Sequence, residues 1–271
     1  SALTLLIEVG KDNEFSQLAE LLNQKSVCQH RLADYESSLA STVEFIKDFP
    51  ENRLFQDALF LKAENLFLLK RTDEAAESYN KFLESGQSQS NMMIAQYRTA
   101  QIYHEQGQWE KCLSVTGSIL ENKPKDKLFN QLKFIVGDSF YRLDKWEASI
   151  VLLKEFIDSN SSDEGINKVA NMDTALMQLS VAHERLGDIE KSMSNLALLV
   201  AKYEDATRHL PLALAEQGRI AYESGDLKTS RSALERFIEE DQEENKVFQA
   251  RSPSQRPRVM YYLGWVDATE G

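Results

Sequence analysis

The stretch GQWEKCLSVTGSIL at residues 107–120 recurs in altered form as DKWEASIVLLKEFI at residues 144–157. Both copies place Trp-Glu ahead of a slim residue and a run of helix-forming residues. Four more segments of this kind occur, at residues 35–46, 72–83, 189–200 and 227–238. Because self-similarity at a fixed period is the signature of repeat architectures, the chain is predicted to be built from one repeated unit.

A small residue three places after the start of each copy, counted from Trp109 and Trp146 in the two quoted stretches, measures the length of the repeat. These residues are Ser38, Ala75, Cys112, Ser149, Ser192 and Ser230, at intervals of 37, 37, 37, 43 and 38 residues. Five copies are preceded by a second stretch with apolar residues recurring at three and four, and each such stretch has its own small residue: Ala63, Ala100, Gly137, Ser180 and Gly218. The unit is therefore predicted to be two amphipathic helices of about a dozen residues each.

The pattern of small and aromatic residues resembles the tetratricopeptide repeat family. The resemblance is clearest at residues 95–124, where the family's small, Tyr, Gly, Ala and Pro positions are occupied by Ala100, Tyr103, Gly107, Cys112 and Pro124. It implies an all-α fold, a right-handed α-solenoid (superhelix) of about six helix pairs with partial units at the ends. We expect residues 1–271 to form a single domain of this kind and to be a segment of a longer protein. Residues 256–271 are expected to begin a seventh unit, with Gly264 at its small position and without a second helix.

Two features depart from the family pattern. The period is 37 residues rather than about 34, and Trp109 and Trp146 stand at the start of the second helix, where they are predicted to be core wedges. Two polar connectors, residues 158–168 and 241–258, lengthen the period and are predicted to be loops. The longer period resembles that of bacterial envelope lipoproteins of this family. That resemblance implies the periplasm or outer membrane as the location, with the cytoplasm as the alternative.

Composition and motifs exclude several function classes. A net charge of −12 would repel a phosphate backbone, so no nucleic acid partner is expected. The chain has no run of eighteen apolar residues, so no direct membrane insertion of this segment is expected. The glycines are scattered, the four histidines fall in different units, and there are only two cysteines. We therefore predict no enzyme activity, no cofactor and no metal site.

One face of each first helix is the candidate binding surface. Residues three before, one after and four after the small residue share a face, because their spacings are four and three. The family resemblance implies that this face lines a concave groove that binds peptides. Aromatic rings suit recognition because they offer contact area at little entropic cost. The candidate peptide-binding residues are Phe60, Phe67, Tyr97, His104, Phe134, Tyr141, Arg142, Arg185, Arg219 and Tyr222.

The alternative interpretation, without ligand binding, is that the aromatic side chains pack against the next unit and the arginines are solvated. We predict a non-catalytic protein–protein interaction scaffold that binds a partner peptide or helix in an aromatic-lined concave groove. The alternatives are a regulatory or targeting domain of a larger enzyme, and a self-assembly module that associates through its end units.

Overall fold

The computed structural model describes residues 17–85, 89–122, 127–160, 170–202, 208–242 and 246–270. These residues form fourteen α-helices and one short 3-10 helix, with no strand among them. The first six helices are α1 (Leu18–Arg31), α2 (Tyr35–Asp48), α3 (Phe55–Leu68), α4 (Thr72–Ser85), α5 (Gln89–Glu105) and α6 (Trp109–Asn122). The next six are α7 (Lys127–Arg142), α8 (Trp146–Asn160), α9 (Met172–Arg185), α10 (Ile189–Lys202), α11 (Leu210–Glu223) and α12 (Leu227–Gln242). A short α13 (Lys246–Gln249) and the 3-10 helix Ser252–Ser254 lead into α14 (Arg256–Glu270).

The predicted all-α helical-repeat fold is confirmed. Helices α1 to α12 form six pairs, and every second helix of a pair begins where a sequence copy begins: at Tyr35, Thr72, Trp109, Trp146, Ile189 and Leu227. The chain divides into two compact units, Ser1–Leu132 and Lys133–Gly271. The partial unit expected ahead of the first pair falls at residues 1–16, which lie outside the described residues.

The two helices of a pair approach closely at their small residues. All six small residues of the second helices are fully buried. In α8 and α12 the hydroxyls of Ser149 and Ser230 donate to the carbonyls of Gly137 and Gly218, at 2.9 and 2.8 Å, across a separation of twelve residues. A Cβ atom on Gly218 would lie 2.4 Å from Leu234 Cδ2. Glycine at this position is therefore needed to bring the helix axes together.

Each second helix covers its partner with a recurring set of side chains, here termed the covering motif. It consists of a small residue, a second residue four positions later and a large apolar residue seven positions later. The later two positions are at most 5% exposed in every pair: Thr42 and Phe45, Tyr79 and Phe82, Thr116 and Ile119, Leu153 and Phe156, Leu196 and Leu199, Leu234 and Phe237. The spacing of four and three keeps the motif on one helix face.

The turn inside every pair has one residue in the left-handed backbone region. Its φ is positive at Ala33, Lys70, Gly107, Asp144, Gly187 and Gly225. In the Gly107 turn, the amide of Gln108 donates to the carbonyl of Tyr103 and that of Gly107 to the carbonyl of His104, which satisfies helix-end carbonyls. The side chains of Asp34, Asp188 and Asp226 then cap the next helix by accepting backbone N–H bonds. The turns thus end one helix and start the next within a few residues.

Two sequence-based expectations need correction. Trp109 and Trp146 are half-buried rather than core residues, because they lie at the helix start and pack edge-on against His104 and Tyr141 of the preceding helix. Much of the connector 241–258 is helical rather than a loop. Its Phe248 is buried, and the Phe248 ring lies 5.1 Å from that of Phe237. In the other connector, residues 158–160 extend α8, and 161–168 lie outside the described residues.

His209, just ahead of α11, is expected to make stability depend on pH. Burial lowers its pKa, and this outweighs the opposite effect of Asp173. Arg208 Nε also donates to its Nε2, 3.3 Å away, which requires the neutral ring. Below the ordinary histidine pKa of about 6.5 the unfolded chain therefore binds a proton that the folded chain resists, and stability falls as pH decreases.

The measurement is the thermal unfolding midpoint at pH 7.5 and 5.5. The wild-type midpoint should drop more between these pH values than that of His209→Gln, whatever their difference at pH 7.5. Equal drops in the two proteins would exclude His209 as a source of the pH dependence.

Candidate functional site

The predicted site residues of the first compact unit are half-buried and already engaged with neighbours. The ring of Phe60 packs 5.3 Å from that of Phe82, inside its own helix pair. Arg98 places its guanidinium carbon 4.4 Å from the centre of the Phe67 ring. Tyr97 donates its hydroxyl to Gln131 Oε1 at 3.0 Å.

These contacts leave different amounts of accessible surface. Phe60 belongs to the packing of its own pair, against Phe82, and not to a contact with the next unit. Phe67, Tyr97 and His104 keep part of their side chains at the surface on the predicted face, and partial burial raises the pKa of Tyr97.

The predicted aromatics of α7 also pack within their pair. Phe134 is 8% exposed, with its ring 5.4 Å from that of Phe156, so it belongs to the core. Tyr141 is half-buried against Trp146, and burial raises its pKa. Arg142 is exposed and forms an ion pair with Asp138, whose oxygen lies 3.4 Å from Arg142 Nε.

Two of the remaining predicted residues, Arg185 and Arg219, line an open cleft of the second compact unit. The cleft has a volume of about 780 Å³ and is bounded by α9, α11 and α14. Its apolar lining consists of Met177, Val181, Leu212 and Tyr261. Its polar lining consists of Glu184, Arg185, Glu216, Arg219, Arg258 and Tyr262. The cleft thus combines apolar surface with charges of both signs.

Arg219 is held in place by three carboxylates. Its guanidinium nitrogens lie 2.5 Å from a Glu184 oxygen, 2.7 Å from Glu216 and 2.7 Å from Glu223. Burial disfavours the charge on Arg219, but the hydrogen bonds to Glu184 and Glu216 outweigh it and raise its pKa. Arg258 of α14 also donates to Glu216. This network braces the cleft wall and uses up much of the donor capacity of Arg219.

Arg185 differs from Arg219 in its surroundings. It is exposed at the edge of the cleft, on the last turn of α9. Within the described part of the chain it has no hydrogen bond or ion pair. It is therefore the cleft arginine best able to pair with a group brought by a ligand.

Tyr222 joins α11 to α14 at the side of the cleft. Its ring packs 5.6 Å from that of Tyr262. The Tyr262 hydroxyl donates to Glu223 at 2.8 Å, and burial together with this bond raises the pKa of Tyr262 to about 12. Tyr222 therefore fixes the helices that form the cleft, although it does not line the cleft.

The sequence-based selection missed some of the lining residues. Leu212 and Arg258 lie six residues before Gly218 and Gly264, and Glu216 and Tyr262 lie two before them. Extending the predicted face by one helical turn toward the start of the helix would have included Leu212 and Arg258.

Searches for other kinds of site give negative results in the described residues. No group of three or more His, Cys, Asp or Glu side chains there could hold a metal ion. None of the helices described is both long and apolar enough to cross a membrane.

Comparison with known proteins gives a family-model match over part of the chain and several similar folds. Residues 57–85 match the family model of the tetratricopeptide repeat. A tetratricopeptide repeat protein from Parabacteroides merdae has a similar structure, with 15% identity, a TM-score of 0.54 and 92% of each chain covered. The C-terminal part of a TPR repeat-containing protein from Cytophaga hutchinsonii has 11% identity and a TM-score of 0.58, over 96% of this chain and 94% of that one.

A third similar structure is YrrB, described as a TPR protein with an unusual peptide-binding site. It has 14% identity and a TM-score of 0.58, over 76% of this chain and 94% of its own. At such identities these similarities establish the fold alone. No curated protein sequence matches the chain.

Proposed function

Because the chain contains a tetratricopeptide repeat and has the fold of tetratricopeptide repeat proteins, we propose that it is a non-catalytic scaffold for protein–protein interaction. Its ligand is a segment of a partner protein, bound in the cleft between α9, α11 and α14. The observation that carries this proposal is the cleft itself, which has about 780 Å³ of open volume on the face predicted from the repeat. Clefts that combine apolar lining with a few placed polar groups are typical binding sites.

The lining indicates the chemistry of the bound segment. Val181 of α9, Leu212 of α11 and Tyr261 of α14 offer apolar surface for an aliphatic or aromatic side chain. Arg185, which has no ion pair among the described residues, stands beside this surface. We therefore expect a segment with an acidic residue close to an apolar one, since a carboxylate and a guanidinium form strong paired hydrogen bonds.

The braced geometry of the cleft supports binding by a preformed surface. Arg219 joins α9 to α11 through Glu184, and Arg258 joins α14 to α11 through Glu216. A ligand that enters such a cleft spends little free energy on ordering the protein, so more of the contact energy appears as affinity. The unusual peptide-binding site of YrrB is consistent with a peptide ligand on this fold.

The aromatic face of the first compact unit stays in the proposal as a separate contact region. Phe67, Tyr97 and His104 retain accessible surface there. Phe60 and Phe134 are left out of it because their rings pack inside their helix pairs.

The proposal is tested with peptides selected on the wild-type protein from a displayed random library. Val181→Glu and Arg185→Glu should each weaken the binding of the selected peptides by about tenfold or more. The first puts a charge into the apolar wall, and the second reverses the charge of an arginine that has no ion pair among the described residues. Fluorescence polarisation with labelled peptides gives the dissociation constants, and circular dichroism verifies the fold.

The matched control is Lys228→Glu, which makes the same charge change at an exposed residue of α12 outside the cleft. Its affinity should stay within about twofold of the wild type. Peptides that bind all four proteins equally well would show that the cleft is not the binding site.

A further inference from the structure

The segment around α13 and the 3-10 helix is basic, although the chain as a whole is acidic. Residues 245–266 contain no Asp or Glu but four basic residues: Lys246, Arg251, Arg256 and Arg258. The whole chain has 43 acidic and 31 basic residues, so this stretch reverses the sign of the local charge. Positive charge concentrated in one place raises the local concentration of anions there.

The three arginines of this segment differ in their partners. Arg256 forms an ion pair with Asp241, and Arg258 forms one with Glu216. The side chain of Arg251 is exposed and has no hydrogen bond or ion pair within the described part of the chain. Two of the three charges are therefore neutralised inside the fold, and that of Arg251 is not.

Arg251 shares an open cavity of about 580 Å³ with a second arginine, Arg208. This cavity, termed the arginine pocket, is lined from the start of α11 by Arg208, His209 and Leu212 and from the 3-10 segment by Arg251, Pro253 and Gln255. Arg208 is exposed, and among the described residues its side chain bonds only to His209. No Asp or Glu is among the lining residues that the structure describes. The pocket thus holds two positive charges and no carboxylate.

The ring of His209 shows that both guanidinium groups act on the same space. Burial is the largest cause of its lowered pKa, and Arg208 and Arg251 lower that pKa further, whereas Asp173 opposes them. An effect on the ring from each arginine requires that both charges lie close to it. The positive charges therefore converge beside His209.

A phosphate monoester matches this lining in charge and in hydrogen bonding. It has about two negative charges at neutral pH and three strong acceptor oxygens. Each guanidinium offers a planar fork of donors that suits phosphate oxygens. A single carboxylate would neutralise only one of the two arginines. Pairs of arginines are a common means of recognising phosphorylated segments.

The arginine pocket adjoins the cleft between α9, α11 and α14, because Leu212 lines both. We propose that the pocket binds the phosphoryl group of a phosphorylated serine or threonine in the partner segment that occupies the cleft. This inference rests on the proposed function and defines its partner more closely. The segment has a phosphorylated residue that lies beyond Leu212 when its apolar residue is in the cleft.

Inorganic phosphate is the first probe. At constant pH and ionic strength, replacing chloride by phosphate should shift the ring resonances of His209 in NMR spectra, and Arg208→Gln/Arg251→Gln should lose this shift. The ring of His183, which has Lys154 and Lys191 nearby, is the internal control for unspecific anion binding and should not shift.

The second probe is a synthetic peptide library with a fixed central phosphoserine. Peptides retained by the immobilised wild-type protein are remade with phosphoserine and with serine, and fluorescence polarisation gives their dissociation constants. The phosphoserine form should bind the wild type about tenfold or more tightly than the serine form. Arg208→Gln/Arg251→Gln, verified by circular dichroism, should abolish this gain.

Two controls separate the pocket from net charge and from the cleft. Arg31→Gln/Arg53→Gln removes two exposed arginines from the first compact unit and should keep the gain. Val181→Glu should weaken the phosphoserine and serine forms by the same factor. A failure of the cleft is therefore visible separately from a failure of the pocket.

Equal affinity of the wild type for the two peptide forms would overturn the proposal. A gain from phosphoserine that Arg208→Gln/Arg251→Gln retains would place the phosphate elsewhere and also overturn it. A His209 shift with phosphate but no gain from phosphoserine would mean that the pocket holds a free anion and not the partner segment.

Discussion

Replacing Phe237 by alanine should lower the free energy of unfolding by about 3–5 kcal/mol, the range for a buried aromatic truncated to alanine. Phe237 is fully buried at the last position of the covering motif of α12. Its ring lies 5.1 Å from that of Phe248 in α13, so the substitution also removes the packing that holds the segment after α12. The resulting cavity would lie at the junction of α11, α12 and α13, where little can collapse into it.

Urea denaturation followed by circular dichroism measures this loss. Amide hydrogen exchange shows which helices are destabilised, since the pairs of a helical repeat can unfold locally. The control is Val151→Ala, which truncates an apolar residue that is 56% exposed on α8, and it should change stability by no more than about 0.5 kcal/mol. A Phe237→Ala protein with amide protection in α11 and α12 equal to the wild type would contradict the packing described here.

Gly218→Val is expected to have the next largest effect, a loss of about 3 kcal/mol, at the upper end of the cost of overpacking. Its Cβ would lie 2.4 Å from Leu234 Cδ2 and 2.5 Å from Leu234 Cγ. Leu234 is fully buried and cannot swing into solvent. The helices α11 and α12 would have to separate, which would also break the bond from the Ser230 hydroxyl to the Gly218 carbonyl.

The same substitution at Gly117 separates this clash from the effect of valine on a helix. Gly117 is exposed in α6, and a Cβ there meets nothing within 4 Å. Gly117→Val should therefore change stability by less than about 0.5 kcal/mol, since valine is a slightly better helix former than glycine. Equal stability of the two variants in urea denaturation would mean that Gly218 is not at a close contact.

The binding surface was only partly predictable, and particular residues show why. The rule of three before, one after and four after the small residue placed Val181 and Tyr261 on one face, and both line the cleft. The same rule selected Phe134 and Met177, which are buried, because residues three before the small residue can also belong to the core. The same helix position can thus face the core in one pair and the surface in another, and a helical-wheel projection does not distinguish these two cases.

The repeat pattern did not predict which side chains form ion pairs. Arg219 pairs with Glu184, 35 residues earlier, and Arg258 pairs with Glu216, 42 residues earlier. The sequence predicted that Arg185 and Arg219 lie near the face, but nothing in the spacing indicated that three carboxylates would surround Arg219. Side-chain pairing between repeats depends on the distance between helices, which is a tertiary property.

The repeated unit, its period, the start of every second helix and the close contact at the small residues all follow from local sequence. Helix periodicity, turn residues and the need to bury one face act within a single pair of about 30 residues, so each copy carries the same information. The open cleft and the bracing of Arg219 exist only in the folded chain. They depend on which surfaces the neighbouring helices leave free, and that is decided by packing between pairs.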